Sequence, residues 1–367
     1  MTLARELADT AGRPQVDKNL LINGGMNVWQ RSTSVTGITS GGYKTVDRWD
    51  LDIVNSFGTG AGTYTMAQST DVPANQGFAY STKIDCTTVG DQVGGGTNLN
   101  LVKLDQYIEG QNVQHLLKGT SDAKALTLSF WVKSNRASTF VVQFTDPTNS
   151  RQISKEYTID TANTWEKKTI LIPGDTTGTI DNDNTSGFTV EFWLFAGLGY
   201  LTGTLATSWG SHAEADWAAG MLGSLTSTSD DWSITGVQLE VGEAATDFQF
   251  EPYANTLQKC ERYFVSYGGN SNYEWIAVGS NISSTLWDGV LHFPTTMRID
   301  PTLGISQNSH WGLYDGSVET VSGFSNIEGG PRAAGIRCTS SSHTVGNCSR
   351  LYATNNLSAR MTFDAEL

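Results

Sequence analysis

Residues 231–264, DWSITGVQLEVGEAATDFQFEPYANTLQKCERYF, predict where one β-domain ends and the next begins. The first half alternates apolar and polar residues, as a strand with one buried face does. Its apolar positions are Trp232, Ile234, Val237, Leu239 and Val241. The alternation slips by one residue at Gly236, and a β-bulge at that glycine explains the slip.

The second half of this stretch leaves the sheet at Pro252, because proline cannot donate a hydrogen bond to a central ladder. Apolar residues then recur at helical spacing and predict a short amphipathic helix over residues 256–264. They are Leu257, Cys260 and Phe264. We therefore expect one domain over residues 19–255 and a second over residues 256–367.

Residues 1–18 stand apart from both domains. Leu3 and Leu7 lie four residues apart, which favours one or two helical turns ending near Gly12 and Pro14. A helix this short is marginal in water alone, so it is either frayed or docked on a larger structure. We expect docking, which would make this segment an anchor.

The first domain is filled by short alternating runs bounded by Gly, Pro, Asn or Asp, and these runs predict an all-β sandwich. The clearest runs are residues 48–54, 126–133, 139–145 and 187–195. Residues 197–229 lack a strand pattern. A connection of that length is usually a functional loop.

The second domain repeats the β pattern on a smaller scale. Its last eleven residues, 357–367, alternate without a break. The apolar positions are Leu357, Ala359, Met361, Phe363, Ala365 and Leu367. A strand patterned to the last residue must pair with something, and subunit contacts are an expected place to bury its faces in so small a domain.

The composition limits the classes of partner. Thirty-nine glycines and only 16% charged residues are typical of an all-β protein with many turns. The net charge of −14 argues against nucleic acid or an anionic membrane as a partner, because phosphate binding needs a basic patch. The first residues are too polar for a secretory signal peptide, and an apolar span of ~20 residues for membrane insertion is missing from the sequence.

The sequence shows no pattern typical of catalysis. The five histidines are scattered without metal-ligand spacing, and there is no GxSxG nucleophile elbow. Turn carboxylates leave a structural Ca²⁺ ion open, since calcium takes several such oxygens. They are Asp181, Asp183, Asp230 and Asp231. We expect no catalytic residue and no other cofactor or metal.

Tryptophans are the most informative residues for function, and the chain has eleven. Alternation predicts that Trp131 and Trp193 lie on the outward faces of their strands, while Trp209 and Trp217 lie in residues 197–229. Exposed rings stack on the C–H faces of sugars, and their N–H groups reach hydroxyls. Three interpretations of these four rings stay open. They form a ligand-binding surface for sugar, they are covered by the loop or a neighbouring subunit, or they are simply exposed.

Several motifs recur in a fixed order along the chain. They are NLLINGGMNVWQR at 19–31, YKTVDRW at 43–49, VQLEVG at 237–242, FEPY at 250–253, CERYF at 260–264, FPTTMR at 293–298 and DAEL at 364–367. Together they resemble a family of bacteriophage virion proteins, the tail fibres and other appendages. The resemblance covers nearly everything after Asn19 and is weakest over residues 1–18.

This resemblance implies a jelly-roll domain similar to carbohydrate-binding modules, followed by a smaller β-sandwich-like domain. It implies a virion appendage that forms a homotrimer. Together with the docking expected for residues 1–18, it leads us to interpret the chain as an adhesion fibre that binds other virion proteins through this segment and attaches to host surface polysaccharide. The missing signal peptide agrees with assembly in the host cytoplasm. Two alternatives stay open: a head-decorating or adaptor protein without a ligand, and a tailspike that depolymerises glycans.

Overall fold

The structure is a computed structural model that describes residues 18–92, 98–222 and 225–367. Leu3 and Leu7, the residues expected to anchor the chain, lie outside these ranges. Within them, no helix is both long enough and apolar enough to cross a membrane.

The chain divides into two compact units. The first holds residues 18–27 and Thr33–Glu251, and the second holds Val28–Ser32 and Pro252–Leu367. The sequence places the division four residues later, after residue 255. It also gives no sign that five residues near the N-terminus belong with the second unit.

Arg31 shows why Val28–Ser32 belong to the second unit. Its guanidinium lies 3.7 Å from the centre of the Phe264 ring, and Nη2 lies 3.2 Å from a carboxylate oxygen of both Asp364 and Glu366. The neighbouring Gln30 donates a hydrogen bond to the Phe264 carbonyl at 2.8 Å. A cation stacked on a ring and paired with carboxylates holds this segment against the second unit.

The first unit is a jelly-roll β-sandwich, as predicted. Its strands are β1 (Ser34–Ile38), β2 (Gly42–Tyr43), β3 (Asp50–Val54), β4 (Gly62–Ser69), β5 (Ser81–Val89), β6 (Leu101–Glu109), β7 (Leu126–Ser134), β8 (Ser138–Asp146), β9 (Arg151–Ile159), β10 (Glu166–Ile172), β11 (Ser186–Ala196), β12 (Gly210–Ser211) and β13 (Asp231–Val241). A six-stranded sheet has the order β1-β4-β5-β13-β7-β10, and a seven-stranded sheet has the order β12-β9-β8-β11-β6-β3-β2. The four strand runs predicted from the sequence agree with β3, β7, β8 and β11 to within two residues at each end.

Large aromatic rings join the two sheets of the first unit. Phe192 of β11 lies 5.1 Å from Phe130 of β7 and 6.0 Å from Trp232 of β13, measured between ring centres. All three side chains are fully buried. Alternation along each strand directs these rings into the space between the sheets, and their burial is a main source of stability.

The β-bulge predicted at Gly236 is present. The pairing of β13 with β7 shifts register between Thr235 and Gln238, and Gly236 has a φ of +62°. A Cβ atom at this position would lie 2.5 Å from Cζ of Phe78. Glycine is needed here both for the left-handed backbone and for the close approach of that ring.

Replacing Gly236 by alanine should therefore be more destabilising than replacing a glycine that is required only for its positive φ and has no atom packed against it. Gly37 is the matched control, because its φ is +69° and a Cβ atom added there would have no neighbouring atom within 4 Å. We expect Gly37→Ala to lower the free energy of unfolding by about 1 kcal/mol. Overpacking against Phe78 should bring the loss for Gly236→Ala to about 3 kcal/mol. Urea denaturation measures both, and equal losses would contradict the packing argument.

The second unit contains helix α1 (Tyr253–Glu261) and two antiparallel sheets. Its strands are β14 (Phe264–Tyr267), β15 (Trp275–Asn281), β16 (Leu286–His292), β17 (Thr302–Ile305), β18 (Trp311–Tyr314), β19 (Val318–Thr320), β20 (Gly323–Gly330), β21 (Ala333–Thr339), β22 (Cys348–Ala353) and β23 (Met361–Asp364). One sheet has the order β14-β23-β17, and the other has the order β19-β18-β22-β15-β16-β21-β20. The helix begins three residues before the predicted position, directly after Pro252, because proline is tolerated at a helix start.

The two sheets of the second unit share one buried core, which gives the predicted sandwich-like arrangement. Met361 and Phe363 of β23 lie in this core together with Trp287 of β16. The closing strand is shorter than the predicted 357–367, and Leu357 is 56% exposed. Its pairing partners are β14 and β17, both within the chain, so no second subunit is needed to pair it.

Candidate functional site

The seven-stranded sheet of the first unit is covered on its outer side by residues 197–222, which we call the covering loop. This loop contains β12, which pairs with β9 at the edge of the sheet, and two short 3-10 turns. An apolar cluster lies between the loop and the sheet. Its buried members are Leu101, Val141, Trp193, Ala196, Tyr200, Ala218 and Met221. The stretch predicted to be a functional loop is therefore packed on the sheet.

Next to this apolar cluster, the outer face of the sheet is charged. The strand register places Asp50, Asp105 and Glu191 side by side across β3, β6 and β11. The adjacent row places Asp52 beside Lys103 in the same way. Because residues two apart on a strand share a face, both rows point to the same side of the sheet.

Lys103 is the centre of this charged face. Its Nζ lies 2.7 Å from Glu191, 3.2 Å from Asp105 and 3.4 Å from Asp52. Burial by itself lowers the pKa of Lys103, but the three carboxylates outweigh burial and raise it well above the ordinary value. Burial raises the pKa of Asp105, and the Lys103 charge offsets only part of this effect. The cluster therefore depends on the lysine for its charge balance.

Replacing Lys103 by methionine should leave buried carboxylates without their cation. We expect Lys103→Met to lower the free energy of unfolding by about 3–5 kcal/mol at pH 7. The loss should be smaller at pH 5, because burial raises the pKa of Asp105 and a lower pH favours its neutral form. The folded pKa of Lys103 lies above its unfolded value of about 10.4, so its own contribution is complete at both pH values and is lost only in strong alkali. Urea denaturation of the wild type and of Lys103→Met at the two pH values measures the change in the free energy of unfolding.

Lys83 is the matched control for this prediction. It also faces two carboxylates, with Nζ 2.7 Å from Asp85 and 3.3 Å from Asp231, but its side chain is 36% exposed. Ion pairs in contact with water contribute about 1 kcal/mol or less. A loss for Lys83→Met as large as that for Lys103→Met would show that burial is not the cause.

A cavity of about 250 Å³ opens beside this charged face. Its lining includes Lys103, Thr145, Arg151, Glu191, His212 and Trp217. Thr145 donates a hydrogen bond to Glu191 Oε1 at 2.8 Å, while Glu191 Oε2 accepts the bond from Lys103. The lining thus offers donors and acceptors that neighbouring residues hold in place.

Arg151 is held at this cavity by Asp175. Its Nε and Nη2 donate to the two carboxylate oxygens of Asp175 at 2.6 and 2.8 Å. Burial by itself raises the pKa of Asp175, but hydrogen bonds from Arg151 and Lys118 outweigh it and hold the pKa below the ordinary value. Lys118 also pairs with Asp146 in the cavity wall. Because the pKa of Arg151 is raised and that of Asp175 is lowered, this pair stays charged at neutral pH.

Trp217 gives the cavity an aromatic wall. Its ring is half-buried and stacks on Tyr200, with ring centres 5.1 Å apart and planes at 12°. His212 lies 4.5 Å away on the covering loop, and Trp193 lies 5.9 Å away on β11. The structure therefore brings two of the four predicted ligand-binding tryptophans together, Trp193 and Trp217.

For Trp193, the structure agrees with the alternative in which the loop covers the ring. The residue lies on the outer side of β11 as predicted, but it is 0% exposed because the covering loop packs on it. Its Nε1 donates to Gln143 Oε1 at 2.9 Å. Its ring therefore supports Trp217 and cannot itself contact a ligand in this arrangement.

The other two predicted tryptophans lie elsewhere in the first unit. Trp209 is half-buried, packs 6.0 Å from Phe188 and donates from Nε1 to the Pro173 carbonyl at 2.8 Å. Trp131 is half-buried on the six-stranded sheet, paired across the strands with Lys167 and Thr235. Trp131 is thus on the opposite sheet from the cavity.

The charged residues of the site were missed by reasoning from the sequence. A signal for them exists in β6, LVKLDQYIE, where Lys103 and Asp105 interrupt an apolar strand at alternate positions. Glu191 interrupts β11 in the same way. Charges inside otherwise apolar strands indicate a face that is buried and polar.

Three of the four turn carboxylates considered for calcium are engaged in local contacts. Asp230 pairs with Arg136, Asp231 pairs with Lys83, and Asp183 accepts hydrogen bonds from Thr185. In the part of the chain that the structure describes, no group of three or more His, Cys, Asp or Glu residues could hold a metal ion.

Comparison with known proteins finds low similarity. No protein-family model matches the chain, and no curated protein does. Among solved structures, the enzymatically active domain of bacteriophage CBA120 tailspike protein 4 is 15% identical with a TM-score of 0.32, and the match covers 61% of this chain and 22% of that one. The chain thus spans about a fifth of that tailspike structure.

Two carbohydrate-binding structures are similarly distant. TmCBM61 in complex with β-1,4-galactotriose is 12% identical with a TM-score of 0.28, and the match covers 62% of this chain and all of that one. The CBM22-1-CBM22-2 tandem domain of Paenibacillus barcinonensis Xyn10C is 11% identical with a TM-score of 0.28, over 96% and 98% of the two chains. At TM-scores this low, the functions of these proteins do not transfer to this chain.

Proposed function

We propose that this chain is a bacteriophage virion protein, a tail fibre or similar appendage, whose first unit binds a glycan of the host surface. The ordered motifs from residue 19 to residue 367 support the virion role. The observation that carries glycan binding is the cavity of about 250 Å³ with the half-buried Trp217 ring at its wall.

The chemistry of the cavity suits a neutral sugar. Lys103 and Arg151 are already paired with carboxylates, among them Glu191 and Asp175, so the lining does not need an anionic ligand. It still presents polar groups to hydroxyls, and Trp217 can stack on the C–H face of a pyranose. Drug-sized ligands occupy sites of about 300–1,000 Å³, so this cavity suits one sugar unit of a longer glycan.

The same contacts favour binding over hydrolysis. A glycosidase needs one carboxylic acid that can protonate the leaving oxygen and a second carboxylate as base or nucleophile. Glu191 accepts hydrogen bonds from Lys103 and Thr145, and Asp146 accepts hydrogen bonds from Asn149 and pairs with Lys118. Carboxylates that already bind these partners hold the partner side chains in place and are not available to act as the acid or base of hydrolysis. We therefore propose a binding protein without catalytic residues.

Attachment by this site would depend on several copies acting together. A one-sugar cavity supports weak binding, and linking sites in one particle raises the effective concentration of the second site. We propose a homotrimer that is held on the virion through residues 1–18 and assembled in the host cytoplasm. In this scheme the anchor, with Leu3 and Leu7, contacts other virion proteins.

Loss of the Trp217 ring should weaken glycan binding. We expect Trp217→Ala to reduce retention in a native gel containing host surface polysaccharide by about tenfold or more, because stacking and burial of one ring are worth at least about 1.4 kcal/mol. Trp131→Ala is the matched control, since Trp131 is also half-buried but lies on the six-stranded sheet. It should bind as the wild type does.

Other results of this experiment would contradict the proposal. Equal retention of Trp217→Ala and wild type would remove the cavity as the site, and loss only in Trp131→Ala would move the site to the other sheet. New reducing ends after incubation would indicate a depolymerase. A wild-type protein that binds neither host cells nor their polysaccharide would favour the adaptor alternative.

Removing residues 1–18 should separate attachment from assembly. We expect phage that carry the truncated protein to lack it in purified particles, because the proposed docking segment is gone, while the isolated truncated protein still binds polysaccharide. Immunoblots of purified particles measure incorporation. A truncated protein found in particles at the wild-type level would rule out the anchor.

A further inference from the structure

The second unit presents aromatic rings on the outer face of its seven-stranded sheet. Tyr273, Trp275 and Tyr314 are 57%, 64% and 37% exposed. The register places Tyr314 of β18 beside Arg350 of β22, and Arg350 beside Val278 of β15. We call Tyr273, Trp275, Tyr314 and Arg350 the aromatic face. The opposite side of the same strands supplies the buried core, so these rings are not needed to complete it.

Arg350 is the central feature of the aromatic face. Its guanidinium carbon lies 3.9 Å from the centre of the Trp275 ring and 4.3 Å from that of Tyr314. The structure, over the residues it describes, gives this guanidinium no ion pair and no hydrogen bond. Arg337 on the same sheet is different, because it donates to both carboxylate oxygens of Asp288 at 2.7 Å. Arg350 is thus oriented by rings alone.

A guanidinium held between two rings in this way is preorganised to bind an anion. Stacking uses the faces of the planar group and leaves its in-plane N–H donors available. Those donors match the two oxygens of a carboxylate, which guanidinium binds as a bidentate pair. The two rings restrict the side chain before any ligand arrives, so less conformational entropy is lost on binding.

We propose that the aromatic face is a second glycan-binding site, which takes a sugar unit bearing a carboxylate. The carboxylate pairs with Arg350, and the sugar ring lies on the exposed parts of Trp275 and Tyr273. This site lies in the second unit, whereas the cavity at Trp217 lies in the first. The proposed ligand of the aromatic face is acidic, and that of the cavity is neutral.

The observations favour a sugar over a second protein chain at this face. The exposed rings carry polar tips, the hydroxyls of Tyr273 and Tyr314 and the indole N–H of Trp275, which suit sugar hydroxyls. A stable subunit interface is usually built around a larger apolar core. Here the exposed aliphatic side chains of the sheet are Val278, Val290, Val318 and Ile327, one on each of four strands. A second copy of the chain is therefore an alternative outcome of the test.

The test uses the full chain in native gels that contain polygalacturonate, alginate or polysialic acid, and the same polymers after chemical reduction of their carboxyl groups. We expect at least one acidic polymer to retard the wild type, with about tenfold weaker binding to its reduced form. Arg350→Gln and Trp275→Ala should each lose about tenfold or more. Arg337→Gln, the matched control, should behave as the wild type does. Binding should also weaken with added salt.

Four results with the acidic polymers or with Arg350→Gln would overturn the proposal. The first three are no retardation by any of the three acidic polymers, equal binding to the reduced polymer, and unchanged binding of Arg350→Gln. The fourth is a changed subunit number for Arg350→Gln, measured by size-exclusion chromatography with light scattering. That change would indicate that the face is a contact between copies of the chain. Thermal melting checks that each variant is folded. Trp217→Ala must keep its binding to the acidic polymer; if it alone loses binding, the acid is bound by the first unit. Failure of neutral-glycan binding at the cavity leaves this result unaffected.

Discussion

The first unit depends on the burial of strand β11 on both faces. Phe192 points into the sandwich core, and its neighbour Trp193 points to the other side, yet both are fully buried. A strand in a two-layer sandwich usually has one face in water. Here the covering loop packs on the second face of β11 and excludes water from it. The polar groups on that outer face must therefore find partners within the protein.

This constraint explains how the candidate site is organised. Lys103 and Glu191 are buried on the covered face, so each stabilises the charge of the other and little movement is left to either. The cavity opens where the loop does not fill the space above them, with Trp217 as its wall. In the second unit, none of the residues that the structure describes forms such a cover over the outer face of the seven-stranded sheet. Its aromatic residues, Trp275 among them, stay in contact with solvent.

The sequence predicted much of the fold and little of the site. Alternation located β7, β8 and β11 closely, and the slip at Gly236 predicted the bulge, since both depend on neighbours along one strand. Alternation also predicted which side of β11 carries Trp193. It did not reveal that the loop covers that side, because what packs on a face is contributed by residues distant in sequence.

The sequence by itself determined the fold class, the positions of the main strands and the acidic, glycine-rich character of the chain, because these follow from local pattern and composition. The tertiary structure decided which residues meet. It placed Val28–Ser32 in the second unit, paired β23 on both edges, and assembled Lys103, Glu191 and Trp217 from three segments. Such contacts depend on strand order and long-range register, and neither is encoded in the periodicity of a single strand.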